Sequence, residues 1–179
     1  LVGAQVQAKP VVQVFNTAIT EAEVNQIQEG WCDALLAISA AYQNGGYDAA
    51  KAKAAAVIDT AYAYKYGPVA FKPTYGTGEG TFRSTRDGAL AYFVGPDPSI
   101  PLFRDKKLGF ATYRQWVKCV ITDDVVQLFG NTANTMGQVI VTDSNGQTAE
   151  PEKTWTFLRE IDGSVRIVLH HSSAPFDAR

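Results

Sequence analysis

The sequence is poor in the residues that most often announce chemistry. Its 179 residues include 2 cysteines, 2 histidines and 1 methionine. No H-x-H, H-E-x-x-H or C-x-x-C spacing occurs, and Cys32, Cys119, His170 and His171 are too few and too scattered to build a zinc site, so no metal is expected. No apolar run approaches the roughly 20 residues that a membrane-spanning helix needs, which excludes a membrane partner of that kind. Nor is there a cationic footprint for nucleic acid: the formal net charge is −2, and Lys106-Lys107 is an isolated basic pair. The glycine-rich stretch Tyr75 to Gly80 lacks the Lys-Ser/Thr and the strand-to-helix setting of a phosphate cradle, and reads as a loop.

An apolar share of 46% beside 19% charged residues is what one globular domain requires. Residues 20–176 are expected to form that domain behind an N-terminal extension, 1–19. The chain opens LVGAQVQAKP, small and polar enough for a processed end, and a periplasmic or secreted location is expected ahead of a cytoplasmic one. In an oxidising compartment Cys32 and Cys119 form one bridge; the alternative is a pair of buried thiols.

Helical spacing dominates the first half. Thr20-Glu21-Ala22-Glu23 is a capping box, and Val24, Ile27, Trp31, Leu35, Ile38 and Tyr42 form an apolar stripe behind it. Asn44-Gly45-Gly46 ends that helix, and Asp48 caps a second, alanine-rich one running to about Tyr64. An extended piece, Val69 to Lys72, precedes a short third helix, Asp87 to Val94, capped by Ser84. From about Gly109 the period becomes two, with strands at Ala111–Thr122, Val125–Phe129, Met136–Thr142, Lys153–Glu160 and Val165–Ser173. Asp123-Asp124, Ser144-Asn145-Gly146 and Asp162-Gly163 supply turns. Helices followed by an antiparallel meander define an α+β fold with the helices against one face of a curved sheet.

The last hairpin, TWTFLREIDGSVRIVLHHSS, together with the long capped helix and the helical hairpin before the sheet, resembles the nuclear transport factor 2-like (cystatin-like) superfamily. The pattern is most similar to SnoaL-like proteins and to the association domain of calcium/calmodulin-dependent protein kinase II, although Val165 stands where that family often has Trp. The resemblance implies a cone-shaped α+β barrel with a central pocket. It implies either isomerase or dehydratase chemistry or, without chemistry, assembly through the outer sheet face; fold alone does not choose.

Strict alternation along the last strand groups Val165, Ile167, Leu169, His171 and Ser173 against Arg166, Val168, His170 and Ser172. The first set is the more apolar, which turns His171 inward and His170 outward. Alternation on the first long strand, with Cys119 inward, leaves Trp116 outward. Trp116, His170 and Arg166 are therefore expected at an interface between copies of the chain, in a homodimer or larger assembly. His171 and Asp59, flanked by apolar residues, are the candidate acid–base pair, with Tyr62 and Tyr66 as hydroxyl donors. Arg83 and Arg114 are the candidate anion clamps, and Trp31 a pocket wall, for a small carboxylate or an apolar ligand. Surface pairing of Arg83 with Asp87 or Glu79, and of Asp59 with Lys65 or Arg83, is the competing structural reading. The expected function is an oligomeric small-molecule-binding or assembly module without a cofactor. The alternative is a cofactor-free isomerase or dehydratase that uses a pocket histidine with a carboxylate or tyrosine.

Overall fold

The computed structural model describes residues 11–13, 16–101 and 107–177; Lys106 and most of the expected extension 1–19 fall outside them. Helix α1, Glu21–Ala61, starts at the expected capping box, where Thr20 accepts from the backbone of Glu23 and the Glu23 carboxylate accepts from Thr20 N at 2.9 Å. It covers both expected helices. Gly46, at φ 73°, bends the chain between them without ending the element, a conformation glycine adopts at little steric cost. The stripe through Val24, Trp31, Leu35 and Ile38, continued after the bend by Ala50, Ala54 and Ile58, is buried. Helix α2, Arg86–Val94, is capped by Thr85, whose hydroxyl accepts from Gly88 N; the expected cap, Ser84, lies one residue too early.

The sheet runs in the order β1-β6-β5-β3-β2, where β1 is Ala70–Lys72, β2 Trp116–Phe129, β3 Thr132–Asp143, β5 Glu152–Arg159 and β6 Val165–Ser173; β4, Thr148–Ala149, pairs with β3. It is mixed, because β1 pairs with β6 in parallel while the other neighbours are antiparallel. The helices lie in the hollow of this curved sheet, the α+β cone that the sequence pattern predicts. Asp123-Asp124 is a bulge and not a turn: β2 continues to Phe129, and the reversal falls at Gly130-Asn131, with Gly130 at φ 62°.

Two other bulges decide which side chains face inward. On β6, Thr156 pairs with Leu169 and Phe157 with Ile167, so Val168 is an extra residue without a partner. On β2, Trp116 pairs with Asp143 and Lys118 with Thr142, so Val117 is extra. Each inserted residue reverses the alternation beyond it. Ile167, His170 and Ser172 consequently share the inner face, as do Trp116, Cys119 and Ile121, all buried or half-buried. The inward assignment of His171 and the outward ones of His170 and Trp116 are thereby overturned. His171 is exposed, His170 is 1% exposed and Trp116 2% exposed. Neither His170 nor Trp116 is on a surface that another copy could reach.

Cys32 on α1 and Cys119 on β2 are joined in a disulfide, with Cα atoms 5.4 Å apart. At the other end of the cone Arg166 donates from Nη1 to the carbonyls of Asp59 (2.7 Å), Thr60 (3.0 Å) and Tyr62 (3.4 Å). These are orphan acceptors at the end of α1, so Arg166 completes a helix terminus and is not expected at an interface.

Candidate functional site

Where α1 ends against β6, the inner sheet face carries an unusual density of polar groups. Tyr62 follows the last helical turn and bridges to Ile167, which fixes its ring under β6. Its hydroxyl accepts from Trp31 Nε1 at 3.1 Å and lies 2.9 Å from His170 Nδ1. On the opposite edge of the imidazole, His170 Nε2 is 2.9 Å from Lys153 Nζ. Lys153 arrives from β5, one turn of the strand pleat before Trp155 and Phe157, all three facing inward and buried. The imidazole is stacked on Phe71 of β1, ring centres 4.5 Å apart, and flanked by Trp31 and Trp155 at 5.9 and 5.4 Å.

A second group of hydroxyls adjoins the first. Ser172 sits directly across the ladder from Lys153, and its hydroxyl is 2.6 Å from that of Thr74 in the loop after β1. Tyr92 of α2, also buried, is hydrogen-bonded to the Thr74 side chain and to the Tyr75 backbone. Lys72 donates to the Ser172 carbonyl at 2.9 Å. Lys72, Thr74 and Tyr75 are only half-buried and form the rim of the cluster.

Burial sets the electrostatics. It pushes the Tyr62 and Tyr92 phenols well above their ordinary range, so both remain neutral hydrogen-bonding groups. It drives His170 well below the ordinary imidazole value, reinforced by the Lys153 charge and then by His171. Burial also lowers the Lys153 amine to about 7, with Lys72 adding repulsion. At neutral pH the cluster therefore holds a neutral imidazole beside an amine poised between its two forms. The indole Nε1 of Trp155 is buried without a hydrogen-bond partner, an uncompensated donor in the same neighbourhood. Among the described residues no group of three His, Cys, Asp or Glu side chains converges as metal ligands.

Of the residues singled out in the sequence, Trp31 and Tyr62 belong to this cluster, and His170 replaces His171. Asp59 does not belong. It lies half-exposed on the surface, paired with Arg86 through bonds of 2.5 and 2.8 Å, and this pairing lowers its pKa. Tyr66 is likewise outside, donating to Asp162 at 2.6 Å. Arg83 is buried but committed: its guanidinium pairs with Asp97 and reaches Ser99 Oγ at 2.5 Å, so it clamps the loop after α2 and is not a free anion clamp. Arg114 pairs with Asp143 at 3.8 Å and lies over the rings of Tyr113 and Trp116. Lys153, Thr74, Tyr92 and Ser172 are the cluster members that strand-face reasoning did not select. The alternation Lys153-x-Trp155-x-Phe157 carries a signal, since it aligns a lysine with two core aromatics. Ser172 shares the parity of His170.

The cone thus encloses a hydroxyl–imidazole–amine cluster behind aromatic walls, with a half-buried polar rim. A family model for metal-independent carbonic anhydrase matches residues 22–174, and the chain belongs to that family. A metal-independent carbonic anhydrase of Nostoc sp. (strain PCC 7120) is 49% identical over 164 residues, covering 92% of this chain and 78% of the relative. The crystal structure of a cyanobacterial iota-carbonic anhydrase complexed with bicarbonate is similar at 47% identity, with a TM-score of 0.83, covering 96% of this chain and 99% of that one. A nuclear transport factor 2-like protein of Salmonella enterica superposes at 13% identity and a TM-score of 0.44. Membership in a family of enzymes overturns the expectation of a non-catalytic binding or assembly module. The alternative of a lyase agrees with that family, whereas its isomerase branch does not.

Proposed function

We propose that the chain catalyses the reversible hydration of carbon dioxide to bicarbonate at the Thr74–Tyr92–Ser172–His170–Lys153 cluster. The observation that carries the reading is the concentration of neutral hydroxyls beside a buried imidazole and amine, in a chain 49% identical to a metal-independent carbonic anhydrase. Hydration turns an uncharged, linear molecule into a planar anion. The site must therefore offer hydrogen-bond donors where negative charge develops on oxygen, and a group that accepts the proton from water. Thr74, Tyr92 and Ser172 meet the first need with neutral hydroxyls gathered at one place. Lys72 at the rim adds positive potential that favours an anionic product. The aromatic walls, Phe71, Trp31 and Trp155, suit a substrate without charge and raise the strength of each polar contact by excluding water.

Stopped-flow hydration of carbon dioxide, followed with a pH indicator on chelator-treated protein, tests the reading. Catalysis that survives the chelator is the expected result; a rate no greater than that of buffer alone rejects it. The Cys32–Cys119 bridge supports a periplasmic or otherwise exported site of action, because structural disulfides persist in oxidising compartments. Mass spectrometry of protein isolated from its native compartment without reductant should then find the oxidised, bridged form. A reduced pair would reject export.

A further inference from the structure

Both ring nitrogens of His170 are already engaged. Nδ1 faces the Tyr62 hydroxyl and Nε2 faces Lys153 Nζ, each at 2.9 Å. A base that removes a proton from water needs a free lone pair aimed at that water, and His170 has none to offer. Lys153 does. Its nitrogen has four tetrahedral positions, of which one is the side-chain carbon and one is taken up by the contact with His170 Nε2. The strand register places Ser172 directly across from Lys153 on the same inner face, next to the hydroxyls of Thr74 and Tyr92.

The surroundings of Lys153 are those of an amine meant to lose its charge. None of the ion pairs of the described residues brings a carboxylate to it. What faces it from β6 is His170, and from β1 the like charge of Lys72. From α1 comes the ring of Trp31, 4.8 Å from Nζ, and beyond it Tyr62 through the imidazole; Phe110 and Trp155 lie at 6.0 and 5.9 Å. From β3 its ladder partner is Gly137, which brings no side chain. The π faces accommodate the cation when it forms, but no counter-charge holds it there.

We propose that Lys153 is the base that takes the proton from water in carbon dioxide hydration, with His170 as the positioning residue that fixes the direction of its lone pair. This rests on the carbonic anhydrase reading. In the step, one O–H bond of water breaks and its proton passes to the Nζ lone pair. A water oxygen lone pair forms the new C–O bond, and one C=O π pair moves onto the oxygen held by the hydroxyls. The products are bicarbonate and the Lys153 ammonium, which returns its proton to solvent buffer before the next turnover. In this proposal the ring hydrogen sits on Nδ1, facing the Tyr62 oxygen, so that Nε2 accepts from Lys153 and the amine's lone pair is left for water. The imidazole orients the amine as the third group of a catalytic triad orients its base.

The test compares the wild type with K153M, an apolar replacement of similar volume, in carbon dioxide hydration across the neutral pH range. Wild-type kcat should rise with pH as the amine loses its proton, through about 7. K153M should lose about 10²–10⁴ in kcat, show no such rise, and keep its KM within a small factor. A wild type no faster than buffer rejects the carbonic anhydrase reading itself. An active wild type with a K153M variant that keeps both its kcat and its pH rise overturns the role of Lys153 alone. If K153M fails to fold, ¹⁵N NMR of lysine-labelled wild type decides the matter. A neutral Lys153 amine above neutrality supports the proposal, and an ammonium that persists through the alkaline range overturns it.

Discussion

Trp31 and Cys32 are neighbours on α1, yet they tie the helix to the sheet in opposite ways. Cys32 is covalently bound to Cys119 on β2. Trp31, rotated by about 100° around the helix, donates to Tyr62 and packs edge-on against His170 and Trp155 below β5 and β6. One attachment is a covalent cross-link; the other is a polar network with a half-buried rim. Under the proposed reading the contrast teaches that this cone separates its tasks: rigidity on the β2 side, chemistry on the β6 side. A helix held covalently at one flank can present a fixed hydrogen-bond donor to a collection of buried polar groups at the other.

Breaking the covalent side should have the largest effect on stability. The bridge closes a loop with a sequence separation of 87, for which loop-closure entropy gives about 4–5 kcal/mol. The double variant C32S/C119S should lose stability of that order in urea denaturation, and the wild type should lose the same amount under reductant. Folded double variant should nonetheless retain most of its hydration rate. A selective loss of activity with little loss of stability would erase the division between the two sides.

On the polar side the balance reverses. S172A and T74V each remove one hydroxyl from where charge develops on oxygen, and by analogy with single oxyanion donors should reduce kcat by about 10²–10³. Their stability in urea should fall by no more than about 1–3 kcal/mol, the cost of leaving a neighbouring hydroxyl (Thr74 in S172A, Ser172 and Tyr92 in T74V) without one partner. Equal losses of stability and activity would mean that the hydroxyl pair is a structural latch.

The acid–base behaviour of Lys153 separates the two sides at a finer level. Its amine titrates near 7 in the fold, against 10.5 as a free side chain. Between those values the unfolded chain binds more protons than the folded one, so stability rises with pH across that window and is lost as the pH falls towards 7. Thermal melts of the wild type should climb from neutral to alkaline pH, and K153M should lose that slope. His170, also depressed, adds a further loss of stability below its ordinary imidazole range as the pH falls.

Much of this was legible from residue order. The capping box at Thr20–Glu23, the helical stripe through Trp31 and the final hairpin all stand where their spacing puts them, as does the helix-then-sheet order of an α+β cone. The site was only partly legible, and for one physical reason. Strict alternation from Ile167 assigns His171 to the interior, whereas the unpaired Val168 shifts the phase and delivers His170 and Ser172 instead. A bulge leaves no reliable mark in composition, since Val168 suits a regular strand as well as an irregular one. Val117 hides the inward turn of Trp116 in the same way. The pairings of Arg83 with Asp97 and Asp59 with Arg86 join separate segments, which local sequence does not encode. The reaction itself became readable only through relatives, because hydroxyls and a lysine are common residues whose meaning here comes from convergence.

The smallest effects should come from the two residues that local pattern favoured most strongly. Asp59 and Arg86 are about half-exposed, and an ion pair in such a setting contributes about 0–1 kcal/mol. D59N should therefore lower stability by no more than that, and the loss should shrink in high salt, where the wild-type pair is itself screened. Its hydration rate should match the wild type, because the carboxylate lies on the outer surface with Arg86 and not among the inner-face groups. H171Q should behave likewise: the side chain next in sequence to His170 points out of the opposite sheet face. Set beside an H170Q variant that loses activity, an unchanged H171Q would establish the phase of the β6 bulge in solution. A large loss in H171Q with an intact H170Q would mean that the strand runs without the bulge and that the two faces are exchanged.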